Sequence, residues 1–115
     1  MVEDFPELDV DYFTTYEGVV ESGEKEIHRK EGGQTIGEKL KPAANIAAGA
    51  GEAFEWGYGG RGPLTTAMTV LEDAYDPKTA REYGQEFMES FVAAELDSSE
   101  GWTLEAQEIP EYLEV

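Results

Sequence analysis

Residues 54–63 read FEWGYGGRGP and gather three aromatic rings, four glycines, one arginine and a proline into ten positions. Gly57, Gly59, Gly60 and Gly62 permit positive φ and a close approach of backbone to a ligand. A glycine-rich turn that enters a helix directs free N–H groups and partial positive charge outward. Arg61 adds a guanidinium beside that anion-prone end. Trp56 and Tyr58 supply faces on which a base or ring could stack. Together, residues 56–62 form a candidate contact surface for a small anionic ligand or a protein partner. An architectural reading competes with it: alternating glycines also reverse a chain tightly between strand and helix, and a tryptophan there anchors a core. The spacing lacks the Gly-Lys-Ser/Thr ending of a P-loop and does not match a dinucleotide fingerprint.

Other reactive residue types are sparse. His28 is the sole histidine, has no second base or nucleophile near it in sequence, and reads as a surface residue. Glu72, Asp73 and Asp76 cluster without the regular spacing and central glycine of a calcium loop. Glu52 and Glu55 flank the glycine loop as a carboxylate pair, but such pairs arise by chance in a chain with 26 acidic residues. With no cysteine, disulfides and zinc–thiolate sites are excluded. The sequence therefore nominates no catalytic residue, no metal ligand and no cofactor.

The elements that must carry the loop can be read from periodicity. Val10, Tyr12, Thr14, Tyr16 and Val20 alternate as one face of a strand over Val10–Val20. Ser22-Gly23 signals a turn, and Glu26–Lys30 is a returning strand. Gly32-Gly33 is a two-residue hairpin candidate before a third strand with Ile36 and Leu40 on one face. Residues 42–53, PAANIAAGAGEA, read as a connector with one short helix, and Ala53–Trp56 as a short strand. Leu64, Ala67, Met68, Leu71, Ala74 and Tyr75 then follow helical spacing, with Pro63 suited to the first helical position. Asp76-Pro77 opens a second helix bearing Ala80, Tyr83, Gly84, Phe87, Met88, Phe91 and Val92 on its apolar stripe. Phe87 and Leu71 are expected to share one core. After a loop at Asp97–Gly101 and Trp102, Thr103 is a cap for a short helix toward Ile109, which Pro110 breaks or kinks. The fold class is α+β: an N-terminal antiparallel β-meander packed against two long amphipathic helices plus a short C-terminal helix. One domain covers 1–115, with a loose acidic stretch at 1–9, a β-rich half at 10–58 and a helical half at 63–113.

Charge is the strongest compositional signal. Twenty-six acidic residues face eight basic ones, for a formal net charge of −18. The acids are scattered and alternate with residues able to build a core, which argues against disorder. Adaptation to molar intracellular salt explains this best, because screening at ~3 Å removes the self-repulsion. A mimic of the nucleic-acid backbone and an ordinary acidic protein are the other readings. Eight cations supply no basic stripe, so direct nucleic-acid binding is not expected. No apolar run approaches the ~20 residues that span a bilayer. The acidic start MVEDFPELDVD lacks signal-peptide order, so a cytoplasmic protein is expected.

FEWGYGGRGPLTTAMTVL is similar to the FEWGYGGSGPAQLALALL signature of a small family found in bacteria, archaea and phages, domain of unknown function 6166. GWTLEAQEIPEYL resembles the closing pattern of that family, so the resemblance covers roughly residues 26 to 113. Arg61 stands where the family has serine, and Leu64–Thr66 where it has Ala-Gln-Leu, so no role of that glutamine transfers. The resemblance implies the fold and no activity. The expected function is a small cytoplasmic, non-catalytic binding or accessory protein of a halophile, linked to mobile elements through the phage members. Its contact surface is the loop at Trp56, Tyr58, Gly59, Gly60, Arg61 and Gly62. The alternatives are an enzyme or enzyme subunit holding a small anionic ligand at that loop, and an acidic nucleic-acid mimic.

If the charge is an adaptation to salt, the thermal midpoint should rise steadily from dilute buffer to molar potassium chloride. Circular dichroism melts across that series test it, and a flat midpoint would favour the ordinary acidic reading.

Overall fold

A computed structural model describes residues 5–32, 34–43 and 53–113. The chain forms an α+β fold with four strands, β1 (Thr15–Glu21), β2 (Glu24–Lys30), β3 (Glu38–Lys39) and β4 (Trp102–Glu105). Helix α1 (Arg61–Ala74) is followed by α2 (Pro77–Phe87), which runs on into a π-helical turn at Met88–Val92, and a 3₁₀ helix covers Ala106–Tyr112. The sheet is antiparallel in the order β3-β2-β1-β4. The N-terminal meander is thus completed by a strand from the helical half of the sequence.

β1 begins later than the alternation predicts. Asp11 Oδ1 accepts from Phe13 N at 2.8 Å, and Thr14 N reaches back to Asp11 O at 2.9 Å. This aspartate turn interrupts the extended run, so Tyr12 faces solvent while Thr14 and Tyr16 are wholly buried. Ser22 and Gly23 both have positive φ, 53° and 81°, as a two-residue primed hairpin requires. The pairing that follows runs from Glu21↔Glu24 to Thr15↔Lys30.

The second connection departs from the expected tight hairpin. Gly33 lies outside the described residues, and the chain between β2 and β3 occupies residues 31–37. Of the two apolar residues assigned to the third strand, Leu40 is buried and bonds Ile27 O through its N–H, whereas Ile36 is exposed. The short helix expected within 42–53 falls on residues 44–52, outside those described.

Two further corrections concern the termini. The stretch expected to be loose is docked from Phe5 onward: the Phe5 ring meets Tyr75 and Tyr83 edge-on, at 5.0 and 5.3 Å between centroids. Asp9 N also donates to Ala74 O at 2.7 Å. At the other end Thr103 caps nothing, because it lies in β4 opposite Glu17. The 3₁₀ helix is capped by Glu105, in a capping box with Glu108, and it continues through Pro110.

The helices hold the expected register. Leu71 and Phe87 both have zero exposure and belong to one core with Tyr16, Ile27, Trp56 and Leu104. α1 is buried beyond its apolar stripe, at Thr65, Thr66 and Thr69 as well. Those threonines are tolerated because their hydroxyls are used; Thr69 Oγ1, for example, accepts from Ala43 N at 2.9 Å. Gly84 lets the helices approach, since a Cβ there would press on Met68 Cγ at 2.7 Å.

α2 starts as the Asp-Pro signal predicts, with Asp76 Oδ1 accepting from Thr79 N at 2.6 Å and Pro77 in the first turn. The Thr79 hydroxyl and N–H hold the Asp76 carboxyl below its ordinary value of 3.8. A depressed carboxyl contributes stability above its unfolded pKa and loses it as pH falls through the folded one. Asp76→Ala should therefore cost about 1 kcal/mol at neutral pH. The gap between variant and wild type should close on acidification below 3.8; denaturant midpoints across that range check both statements.

Candidate functional site

No strand forms at Ala53–Trp56, although the burial of Phe54 and Trp56 around Glu55 mimics one. The backbone groups of this segment go elsewhere. Thr66 Oγ1, on the first turns of α1, donates to Glu55 O at 2.7 Å and accepts from Glu55 N at 3.1 Å. Gly57 N donates to Val92 O at 2.9 Å, at the end of the π-helical turn. One hydroxyl and one helix carbonyl thus replace a β-ladder, and they seat the loop on both helices.

Trp56 is the anchor. Its ring has no exposure, and its Nε1–H donates to Glu100 O at 2.8 Å. Trp102 meets it edge-on with centroids 5.5 Å apart at 88°, and Lys25 Nζ lies 5.6 Å from its centroid. Lys25 also pairs with Glu55 at 2.9 Å. The stacking role open to Trp56 in the sequence is therefore excluded by burial.

The four glycines divide by task. Gly57 has φ +92°, and a Cβ there would overlap the backbone of Ser98. Gly60 has φ +141° with open space around it, and it ends the loop as the residue before α1. Gly59 and Gly62 do not use positive φ. A Cβ on Gly62 would crowd the Glu55 side chain at 2.7 Å, whereas one on Gly59 would reach only Met88 Sδ at 4.0 Å. Backbone freedom is thus required at two glycines rather than four.

What remains on the surface is the tip. Tyr58 is 48% exposed, and Gly59, Gly60 and Arg61 are exposed beside it. α1 starts at Arg61, earlier than expected, so Pro63 sits at its third residue. That position still lies in the first turn, where a missing N–H costs nothing. The helix opens with no side-chain cap and no acidic residue in its first turn.

The remaining sequence candidates separate in space. His28 bonds Glu26 at 2.9 Å, and Glu26 also pairs with Lys39 at 3.2 Å. These partners hold the Glu26 carboxyl below its ordinary value, His28 contributing first. Asp76 is used as a helix cap, while Asp73 accepts from the Tyr16 hydroxyl at 2.8 Å and from Arg29, which also pairs with Glu38 at 2.9 Å. Burial, and then the charge of Asp73, push the Tyr16 phenol far above its ordinary value, so it remains a donor. Glu52 lies outside the described residues. Among the described residues, no group of three or more histidine, cysteine or acidic side chains could hold a metal ion. The sequence reading missed Lys25, Thr66, Glu100 and Trp102 as partners of the loop. Only Trp102, a second tryptophan beside a loop, carries a signal that could have been followed.

Gly57→Ala should destabilise the fold by more than the ~1 kcal/mol that separates glycine from alanine at ordinary positions. Arg61→Ala should change stability by less than about 0.5 kcal/mol. Chemical denaturation of both variants checks the division between a structural half of the loop and an exposed one.

No curated protein and no solved structure matches this chain at significance. The sequence model of a family of unknown function (DUF6166) matches residues 16–115, which takes in all of β1 but Thr15 as well as the stretch from residue 26 to 113 over which the resemblance was expected. The chain belongs to this family of unknown function, DUF6166.

Proposed function

We propose that the protein is a non-catalytic binding or accessory protein that meets a protein partner through Tyr58, Gly59, Gly60 and Arg61. One observation carries this reading: the signature loop is fixed at its buried half and solvent-exposed at its tip. Trp56, Gly57 and Glu55 are each held by hydrogen bonds to separate elements. Tyr58 and Arg61 are thus exposed on a support already held in place, which lowers the ordering cost of contact through a loop. An aromatic and an arginine are also the side chains that dominate protein interfaces. The salt-adapted, cytoplasmic setting and the link to mobile elements belong to the same proposal. In support of a soluble setting, no helix among the described residues is long and apolar enough to cross a membrane. The mimic alternative is less favoured on the outer sheet face, where Glu17 and Glu26 pair with Lys30 and Lys39 instead of forming a bare anionic row.

A photo-crosslinking residue at position 58, expressed in native cells, should capture one protein that the same residue at exposed position 36 does not. The Tyr58→Ser/Arg61→Ser variant should lose that partner on co-purification and keep its melting midpoint. Equal labelling from both positions, or none, would overturn the reading. A midpoint raised by phosphate or nucleotide at matched ionic strength, and lost in Arg61→Ala, would replace it with the anionic-ligand alternative.

A further inference from the structure

The segment before β1 leaves apolar surface uncovered in a chain rich in carboxylates. Tyr12 and Phe13 are 58% and 65% exposed, and their rings touch edge-on at 5.3 Å, so they form one aromatic knob. Beside it lies a groove of about 420 Å³ lined by Phe5, Leu8, Val10, Tyr12, Tyr75 and Pro110. The knob is firmly placed. Phe13 N is bonded to Asp11, Thr14 N to Asp11 O, and Asp9 N to Ala74 O. Large exposed aromatics next to a concave apolar strip are the anatomy of a docking site rather than of ordinary surface.

Charge identifies the occupant. Glu7, Asp9 and Asp11 are exposed along the segment that forms the groove, and no lysine or arginine is among its described lining residues. Glu7 lines the groove itself. At low ionic strength a second copy would set these carboxylates against their own kind, between molecules that each carry −18. An incoming lysine- or arginine-bearing segment would be drawn in, and its apolar side chains would fill the groove.

We propose that the groove and the Tyr12–Phe13 knob dock a cationic amphipathic segment of a partner protein. This site is distinct from the glycine-loop tip and does not depend on it. Desolvated apolar contact supplies hold, and the carboxylate rim supplies choice of partner. At molar salt the rim is screened within ~3 Å, so the apolar contact must dominate there.

The test is an NMR titration of the isotope-labelled full chain with synthetic peptides of about twelve residues. One has lysine and leucine at amphipathic helical spacing, a second has glutamate for lysine, and a third has serine for leucine. The lysine–leucine peptide should shift amides of residues 5–13 and of Tyr75 and Gln107, and the other two should bind at least roughly tenfold more weakly. The Tyr12→Ser/Phe13→Ser variant alters only exposed rings, so it should keep the wild-type melting midpoint and lose binding by a similar factor. Shifts spread over the whole acidic surface, or confined to Tyr58–Arg61, would overturn the proposal. So would equal binding of the glutamate or serine peptide, undiminished binding by the variant, or self-association through this face at molar salt.

Discussion

The burial of one indole sets the terms for the rest of this fold. Trp56 has no exposed surface, so its N–H must find a partner inside, and Glu100 O provides it. That bond fixes the loop before β4, and Trp102 then enters the sheet with its ring edge-on to Trp56. Trp102 can lie there only because its cross-strand neighbour on β1 is Gly18, where any Cβ would overlap the indole. A glycine in a strand interior is ordinarily a weakness. Here the missing side chain is the seat for a tryptophan, and the edge of the sheet is closed by the same contact that closes the core.

Tying sheet to helices needs a second device on the other side of β1. Tyr16 and Arg29 converge on Asp73 of α1 from adjacent strands. The charge of Asp73 is thereby compensated where it is only partly exposed, and each of the two donors has an acceptor. Polar groups inside this protein mostly follow that rule, and α1 is the clearest case, with three buried threonines on a helix packed on several sides. Two atoms depart from it: Thr14 Oγ1 and Trp102 Nε1 are buried with no hydrogen-bond partner among the described residues. Trp102 Nε1 is the indole atom nearest the position a Cβ on Gly18 would take.

Much of the architecture was legible in the sequence, and apart from the local Asp11 turn that delays β1, the main failures share a cause. Helical spacing located α1 and α2, because Leu71, Ala80 and Phe87 meet a core that any amphipathic helix would seek. Ser22-Gly23 gave the hairpin, and Asp76-Pro77 the second helix start, since both signals act over a few residues. Misreadings arose where backbone partners lie far away in sequence. Phe54 and Trp56 alternate like a strand, but their segment bonds to a threonine hydroxyl and a π-turn carbonyl. Trp102–Glu105 is too short to show a period, and only its pairing with β1 makes it a strand. At the glycine loop, composition indicated a tight turn correctly but could not say which glycines need their freedom. That depends on where Ser98 passes Gly57.

The late arrival of β4 bears on how the protein is made. A chain emerges from the ribosome N-terminus first, so β1, β2 and both helices exist before Trp102–Glu105 does. During that interval the outer edge of β1, from Thr15 to Gly18, has unpaired backbone groups, and the Trp56 ring lacks its neighbour. Pairing between segments so distant is slow compared with hairpin closure. The nascent chain therefore passes through a stage with an open strand edge beside an incomplete aromatic core.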